Sequence, residues 1–388
     1  MSVTNNNGPK GNYFQNIKND YVLRHIFNHL SKNKLFQIIK YNKYIQKRLE
    51  ININDYKDFK KIIILITPIN IEDENYFINI SDEQKDYYHI YFNNDTKESK
   101  NDYFTEDDDV TKIKIIIDEE IKSFKDLFNG KDCIEKIEFK QFNRNDITDM
   151  SNMFIYCSSL KEINLNNFNT NNVTDMSRMF FDCSSLEELN LNNFNTKNVT
   201  NMESIFYECS SLKELKINNF NTNNVTNMSE MFDGCSSLTE LNLSNFNTNN
   251  VNDMSNMFNR CSSLKELKIN NFNTKNVTNM RKMFGGCSSI LELNLNNFNT
   301  NNVTDMDSMF DSCSSLAKLN INNFNTNNVI DMAGMFNSCS SLKVLNFKIM
   351  EIKGGTLITG MFSNCSNELK MKIKKKYDKI KNEAFFNF

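Results

Sequence analysis

The sequence predicts an α/β repeat solenoid, with short parallel strands on one side, short helices on the other and a small helical module at the N-terminus. Three observations support this fold class. Nine of the ten cysteines recur every 26 residues, which indicates a repeat array. Each repeat contains one helix-like and one strand-like spacing of apolar residues. The segment before the array has a helical pattern of its own.

Shifts in pattern along the chain divide it into five parts. We predict a disordered tail over residues 1–14, a helical module over 15–55, a β-rich transition and N-terminal cap over 56–118, a solenoid of 26-residue units over 119–366 and a C-terminal cap over 367–388. The cap is expected to close the core with a strand and a helix.

The helical module has apolar residues at helical spacing. The stretch NDYVLRHIFNHLSKNKLFQIIKYNKYIQKRL resembles an F-box, the short module that docks on the Skp-type adaptor of a ubiquitin ligase. The resemblance implies an adaptor contact through Val22, Ile26, Phe27, Leu30 and Leu35. A helical lid or an independent helix pair is the alternative.

The transition contains three runs rich in β-branched and aromatic residues. Ile62 to Ile66, Tyr88 to Phe92 and Ile113 to Ile117 are predicted strands. Acidic loops separate them, and we expect the strands to lead into the solenoid.

The unit that starts at Val173 shows both spacings of the repeat. One group lies on a single face of about two helical turns: Met176, Met179, Phe180 and Cys183. Further on, Leu189 and Leu191 alternate with polar residues, which is the period of a short strand with one buried face. Each unit is therefore predicted to contain a short helix, a turn and a short strand.

The strand segment of the unit resembles the leucine-rich-repeat pattern. It reads Leu186-x-x-Leu189-x-Leu191 and recurs in register along the array. A phenylalanine follows three residues after each strand and predicts a buried, stacked column: Phe168, Phe194, Phe220, Phe246, Phe272, Phe298 and Phe324.

The consensus sequence of the whole unit, NVTDMSxMFxxCSSLxxLNLxNFNT, resembles that of the BspA-type leucine-rich-repeat family, whose repeat is also catalogued as a mycoplasma domain of unknown function. The resemblance covers roughly Phe124 to Ser366. It implies an interaction scaffold, which in many members is displayed on a cell surface.

Composition argues against several classes of function. With 45 Lys+Arg against 48 Asp+Glu, the net charge of −3 provides no overall field for nucleic acid or an anionic membrane. Three histidines and near-identical units provide no unique constellation for catalysis or a metal, so we expect no enzyme, cofactor or small-molecule substrate. Met1 to Asp20 lack the apolar core of a secretory signal, which favours the cytoplasm.

Strand alternation predicts the candidate binding surface. If Leu189 and Leu191 point inward, their polar neighbours point outward, and the offset repeats along the sheet. The outward glutamates are Glu162, Glu188, Glu214, Glu240, Glu266 and Glu292, and the next column includes Asn190, Lys216, Asn242 and Lys268. These columns either bind a protein segment or merely keep the sheet soluble.

The sequence therefore predicts a non-enzymatic, intracellular protein-binding scaffold. One alternative is an F-box-like substrate-recruiting subunit of a ubiquitin ligase. A second alternative is a surface-exposed adhesin of the BspA type.

Overall fold

The computed structural model describes residues 13–30, 32–39, 41–348, 355–377 and 380–386. The chain forms two compact units, Met1–Lys61 and Ile62–Phe388. Most of the predicted tail over residues 1–14 lies outside the described residues, and Tyr13–Asn16 forms a 3-10 helix.

Four short helices build the first unit. They are α1 (Asp20–Asn28), α2 (Lys32–Ile39), α3 (Lys43–Leu49) and α4 (Ile53–Lys60). Side-chain caps set three of the starts. The side chain of Asn19 accepts a hydrogen bond from the backbone N–H of Tyr21, the side chain of Asn42 accepts one from that of Ile45, and Asn52 and Asp55 form a capping box. The buried core is Leu23, Phe27, Phe36, Ile39, Ile45 and Phe59. Helix α4 extends this unit beyond the sequence-based boundary at residue 55.

An antiparallel sheet opens the second unit. Its strands and those around it are β1 (Ile62–Pro68), β2 (Asn75–Tyr76), β3 (Tyr88–Phe92), β4 (Tyr103–Phe104) and β5 (Ile113–Ile117), with 3-10 helices at Asp82–Tyr87 and Glu106–Asp108. The three strands predicted for the transition are confirmed as β1, β3 and β5. They bury alternate side chains, as Ile62, Ile64 and Ile66 do in β1.

This sheet continues directly into the solenoid. Its strand order is β3-β5-β1-β6-β7, where β6 (Ile134–Phe142) and β7 (Glu162–Asn164) belong to the first two coils. Strand β1 pairs with β6 in antiparallel orientation, whereas β6 and β7 are parallel. The transition therefore covers the edge strand at the start of the array.

Later coils contribute short parallel strands. They are β8 (Glu188–Asn190), β9 (Glu214–Lys216), β10 (Glu240–Asn242), β11 (Glu266–Lys268), β12 (Lys318–Ile321) and β13 (Val344–Phe347). They pair as β8–β9, β10–β11 and β12–β13. A second ladder of single bridges joins consecutive coils from Ser123 and Asp149 to Asp331 and Leu357. Because backbone bonds join neighbouring coils throughout, the array is a repeat solenoid, as predicted.

The prediction of a short helix within each repeat is wrong. In its place every second N–H bonds to the next coil: Asn152 donates to the Ser177 carbonyl at 3.0 Å, and Phe154 to that of Met179 at 2.9 Å. Asn152 also has a φ of +57°, a left-handed backbone that an α-helix excludes. A helix would direct these N–H groups to carbonyls four residues back. The apolar spacing fits a run of overlapping turns equally well.

The turn segments nevertheless bury the residues that the helical pattern identified. Met176, Met179, Phe180 and Cys183 have no exposed surface. The phenylalanine of this group stacks on its equivalents from Phe128 to Phe362, with ring centroids 5.4–6.0 Å apart between coils. The column predicted from Phe168 to Phe324 is also buried; its stacked pairs are Phe168–Phe194, Phe220–Phe246 and Phe298–Phe324.

The C-terminal cap consists of α5 (Asn367–Lys376) and a 3-10 helix over Asn382–Phe385. The N–H of Gly360 donates to the Glu383 carbonyl at 2.8 Å, and that of Phe362 to the Ala384 carbonyl at 2.7 Å. The 3-10 helix therefore takes the position of a further coil. The predicted terminal helix is present, and this 3-10 helix stands where the described tail was expected to form a strand.

Candidate functional site

The strand face is defined here as the outward surface of β7 to β11 together with residues 292–294. All six glutamates of the predicted column are exposed, as are Asn190, Asn242 and Lys268, whereas Lys216 is half-buried. Glu292 differs from the other five because residues 291–294 form no strand. Its neighbour Leu291 is an exposed apolar residue. The hydrogen-bonded part of the column therefore ends at Glu266.

Strand register brings like charges together on this face. Glu188 lies opposite Glu214, and Glu240 lies opposite Glu266. Paired parallel strands are about 4.8 Å apart, so carboxylates at these positions repel each other unless cations intervene.

Lysines neutralise some of these carboxylates. The Nζ of Lys216 lies 2.9 Å from Oε1 of Glu214, and this hydrogen bond raises the pKa of Lys216. On the neighbouring strand β6, the Nζ of Lys136 lies 2.6 Å from Oε1 of Glu162. Within the described structure, Glu188 has no ion-pair partner within 4 Å. The strand face therefore offers a mixture of neutralised and free carboxylates.

Two recesses lie on the strand face. The first has a volume of about 630 Å³ and is lined by Ile163, Glu188 and Leu189 among others. The second has a volume of about 290 Å³ and includes Leu215 and Glu240. Both combine an aliphatic floor with carboxylate and ammonium groups at the sides. Such recesses can hold a side chain that has an apolar stem and a charged end.

Metal ligands and cysteine thiols are the other groups among the described residues with a chemistry of their own. No group of three or more His, Cys, Asp or Glu side chains among them is placed to hold a metal ion. Burial raises the pKa of the Cys183 thiol well above its usual value, which disfavours the reactive thiolate. No helix in the described part of the chain combines the length and apolarity needed to cross a bilayer.

The residues predicted to contact an adaptor are separated by their environment. Val22 and Ile26 are exposed, whereas Phe27 is in the core of the first unit, where Leu30 and Leu35 pack partly buried. The five residues therefore differ in exposure, and an adaptor contact through them stays a prediction. The residue that packs with Phe27 is Leu23, because it lies one full turn away on the helix.

Sequence reasoning missed a second polar and aromatic cluster on the turn side. The Phe181 and Tyr207 rings stack with centroids 4.3 Å apart, and the Arg260 guanidinium lies over Tyr207. Arg260 also forms ion pairs with Glu208 at 2.5 Å and Asp233 at 2.9 Å. The signal was in the repeat columns: the later coils, from Asp233 to Ser363, have Asp, Asn, Gly or Ser where these aromatic residues stand.

The family described as "Mycoplasma protein of unknown function, DUF285" matches residues 122–215, 209–294 and 262–377. The chain belongs to the DUF285 family. The matched ranges begin before β6 and extend through α5, so the DUF285 repeats and the solenoid coincide. No protein among the curated ones matches this chain.

Among solved structures, the DUF285 chain is similar to a leucine-rich repeat protein from Bacteroides ovatus, at 18% identity and a TM-score of 0.32, over 60% of this chain and 65% of that one. It is also similar to the T. pallidum leucine-rich repeat protein TpLRR, at 16% identity and a TM-score of 0.24, over 65% of this chain and 92% of that one. A third similar structure is TLR13 in its complex with ssRNA13, at 14% identity and a TM-score of 0.19, over 59% of this chain and 42% of that one. The chain thus spans less than two thirds of the first and third structures, and all three TM-scores are below 0.5.

Proposed function

We propose that this DUF285 protein is a non-enzymatic protein-binding scaffold whose recognition surface is the strand face. The observation that carries the proposal is the combination found there: exposed carboxylates, some neutralised and some free, beside two recesses with aliphatic floors. Leucine-rich-repeat architecture is compatible with this role.

The chemistry of the strand face favours a protein segment over the other partner classes. The glutamate column repels phosphate groups, so nucleic acid is disfavoured. The recesses are open and shared among several coils, and the flanking side chains recur from coil to coil. A side chain of a bound protein fits such a site better than a small substrate that must be enclosed.

We place this activity in the cytoplasm. The support is the set of ten buried free cysteines, which suits a reducing compartment. A membrane-impermeant labelling reagent applied to intact cells should leave the protein unmodified. Strong labelling would contradict this placement and favour the adhesin alternative.

Site-specific photo-crosslinking in the native cell tests the scaffold proposal. The crosslinking amino acid p-benzoyl-phenylalanine is placed on the strand face at position 242, replacing Asn242. The matched control replaces Tyr156, which is 49% exposed in a turn segment. We expect one discrete protein adduct from position 242 and none from position 156. An adduct from position 156 alone would reject the strand face as the recognition surface.

A second candidate function is adaptor binding by the helical unit. The observation that favours it is the exposure of Tyr21, Val22 and Ile26 on α1, while Leu23 and Phe27 hold the core. Co-purification with a Skp-type adaptor tests it. Val22→Ser with Ile26→Ser should abolish co-purification, and Lys57→Ser on α4 should not. Equal recovery of the adaptor with all variants, or no recovery with the unmodified chain, would reject this function.

A further inference from the structure

The small net charge of the chain hides an uneven distribution along it. The part of the N-terminal cap that belongs to the second unit, residues 62–118, contains 14 Asp and Glu against 5 Lys. The C-terminal cap over 367–388 contains 7 Lys against 3 Asp and Glu. The much longer solenoid over 119–366 is closer to balance, with 27 acidic and 21 basic residues. The two caps of one array therefore have opposite charge.

Two 3-10 helices, Asp82–Tyr87 and Glu106–Asp108, carry much of the negative charge. The first leads into β3 and the second precedes β5. These two strands are the outermost of the sheet order β3-β5-β1-β6-β7, on the side away from the later coils. Glu83, Glu106 and Asp107 are exposed, and none of them has an ion-pair partner within 4 Å in the described structure. Free carboxylates therefore lie at the N-terminal end of the array.

An aromatic pair accompanies these carboxylates. Strand β4, which ends just before the second 3-10 helix, pairs with β2 and sets Tyr103 opposite Tyr76. Their ring centroids are 5.2 Å apart, and Tyr76 is 46% exposed. We call the two 3-10 helices and this ring pair the acidic end. It combines negative charge with accessible aromatic surface.

The opposite end of the array is closed by α5 and the last 3-10 helix. The hydroxyl of Tyr377 donates to the Phe347 carbonyl of the final strand, β13. The Phe385 ring stacks on Phe362 with centroids 5.7 Å apart, and the Nζ of Lys374 lies over Phe385, 4.6 Å from its centroid. The stacked phenylalanine column therefore ends in a ring that has an ammonium group over it.

The same end exposes apolar groups and further free lysines. Met371 on α5 is 66% exposed and Phe386 is 60% exposed. Lys374 and Lys375 are exposed, and neither has an ion-pair partner within 4 Å in the part of the chain that the structure describes. We call α5, the last 3-10 helix and Phe386 the basic end. Its apolar groups lie among uncompensated positive charges.

The two ends complement each other in chemistry. Ammonium groups such as that of Lys374 bind both carboxylates and the faces of tyrosine rings, and a methionine sulfur packs favourably beside aromatic rings. Both ends occur once in every molecule. A contact between different surfaces of identical molecules need not close on itself, so it can add molecules one after another.

We infer that the acidic end of one molecule binds the basic end of a second copy, so that this protein associates head to tail. Nucleic acid and anionic membranes are the rival occupants of the basic end. A second copy is favoured over them because it presents both carboxylates and aromatic rings, whereas the rest of this chain has a net negative charge that repels phosphate groups. The strand face and its glutamates take no part in this contact.

Sedimentation velocity of the full-length protein tests the association. At low salt the average sedimentation coefficient should rise with protein concentration up to about 100 μM, since an interface of micromolar affinity is then largely occupied. In about 0.5 M NaCl the protein should sediment as a single monomeric species, because salt screens the charges of the two ends.

Two charge-reversal variants locate the contact. Glu106→Lys with Asp107→Lys changes the acidic end, and Lys374→Glu with Lys375→Glu changes the basic end. Each variant alone should associate at least about tenfold more weakly than the unmodified chain, because like charges then face each other. An equimolar mixture of the two should associate again, since each retains the end that the other has lost.

A charge-matched control separates the two ends from the rest of the surface. Lys197→Glu with Lys275→Glu changes exposed lysines of the middle coils and should leave the association within about threefold of the unmodified chain. Urea denaturation verifies that all variants remain folded.

Three results would overturn the inference. They are a monomer at every concentration in low salt, an association that either end variant leaves unchanged, and a mixture of the end variants that stays monomeric. Binding of a monomeric protein to phosphatidylserine vesicles through Lys374 and Lys375 would also overturn it and assign the basic end to a membrane.

Discussion

The thiol of Cys183 donates a hydrogen bond to the carbonyl oxygen of Phe154, with Sγ and O 3.1 Å apart. The same bond recurs at every in-register cysteine from Cys157 to Cys365. Each thiol is therefore buried and has a hydrogen-bond acceptor. Burial raises the pKa of Cys157 and of Cys209 to about 12.

We expect the cysteines to resist alkylation in native buffer at pH 8. The reason is that the thiolate form, which reacts, is both buried and disfavoured by the raised pKa values. Mass spectrometry after iodoacetamide treatment measures the number of modified thiols. Treatment in urea is the control and should modify all ten cysteines. Rapid modification of most of them without urea would contradict the burial.

Substitutions at Lys282 distinguish the turn conformation of its segment from a helix. Its φ is +51°, a left-handed backbone that favours glycine. Lys282→Gly should therefore be more stable than Lys282→Ala by roughly 1 kcal/mol. In a helix the order reverses, because alanine exceeds glycine there by about 1 kcal/mol. Urea unfolding of both variants measures which is more stable. A more stable alanine variant would contradict the turn conformation and support a helix.

Phe246 tests the packing of the predicted phenylalanine column. It is buried, and its ring stacks on that of Phe220 with centroids 6.4 Å apart. Phe246→Ala should lower the free energy of unfolding by about 3–5 kcal/mol, because the cavity lies between coils. Phe386→Ala removes an exposed ring and should cost less than about 0.5 kcal/mol. Urea denaturation measures both, and a loss below about 1 kcal/mol for Phe246→Ala would contradict the packing.

Asp146 makes the N-terminal end of the solenoid sensitive to acid. Burial alone would raise its pKa, but hydrogen bonds from Arg144 and Lys122 outweigh this and lower the pKa to about 2 from the ordinary 3.8. Its stabilisation is therefore complete above about pH 4 and is lost as the pH falls towards 2.

Asp146→Asn should flatten the pH dependence of unfolding between pH 4 and 2. It should cost about 1 kcal/mol at pH 7, an amount reduced by solvent screening since the carboxyl is 43% exposed. Urea denaturation at a series of pH values measures both effects. A variant with the same pH dependence as the unmodified chain would contradict the assignment to Asp146.

The sequence was sufficient to predict many of the strands and much of the burial pattern of the array. Strands β1, β3 and β5 follow from runs of β-branched and aromatic residues. The exposed glutamate column follows from alternation around buried residues such as Leu189. These features depend on local patterns that the repeat displays many times.

The turn segments and the pairing of strands by twos could not be predicted in the same way. Met176, Met179 and Phe180 have a spacing that both a helix and a run of turns bury. The distinguishing signal was Gly234 and Gly286, which occupy a position that is left-handed in every coil but non-glycine in most. Pairing of the strands by twos depends on contacts between coils, and the strand sequences ELN and ELK do not reveal it.

The central claim is that the strand face recognises a protein through its carboxylates. The direct measurement is the affinity of the crosslinked partner, across ionic strength, for a variant with Glu188→Gln, Glu214→Gln, Glu240→Gln and Glu266→Gln. We predict a dissociation constant at least about tenfold higher at low salt and a weaker dependence on salt, because the variant has lost the charges that attract the partner. Unchanged affinity and unchanged salt dependence would contradict the claim and locate the binding site elsewhere on the molecule.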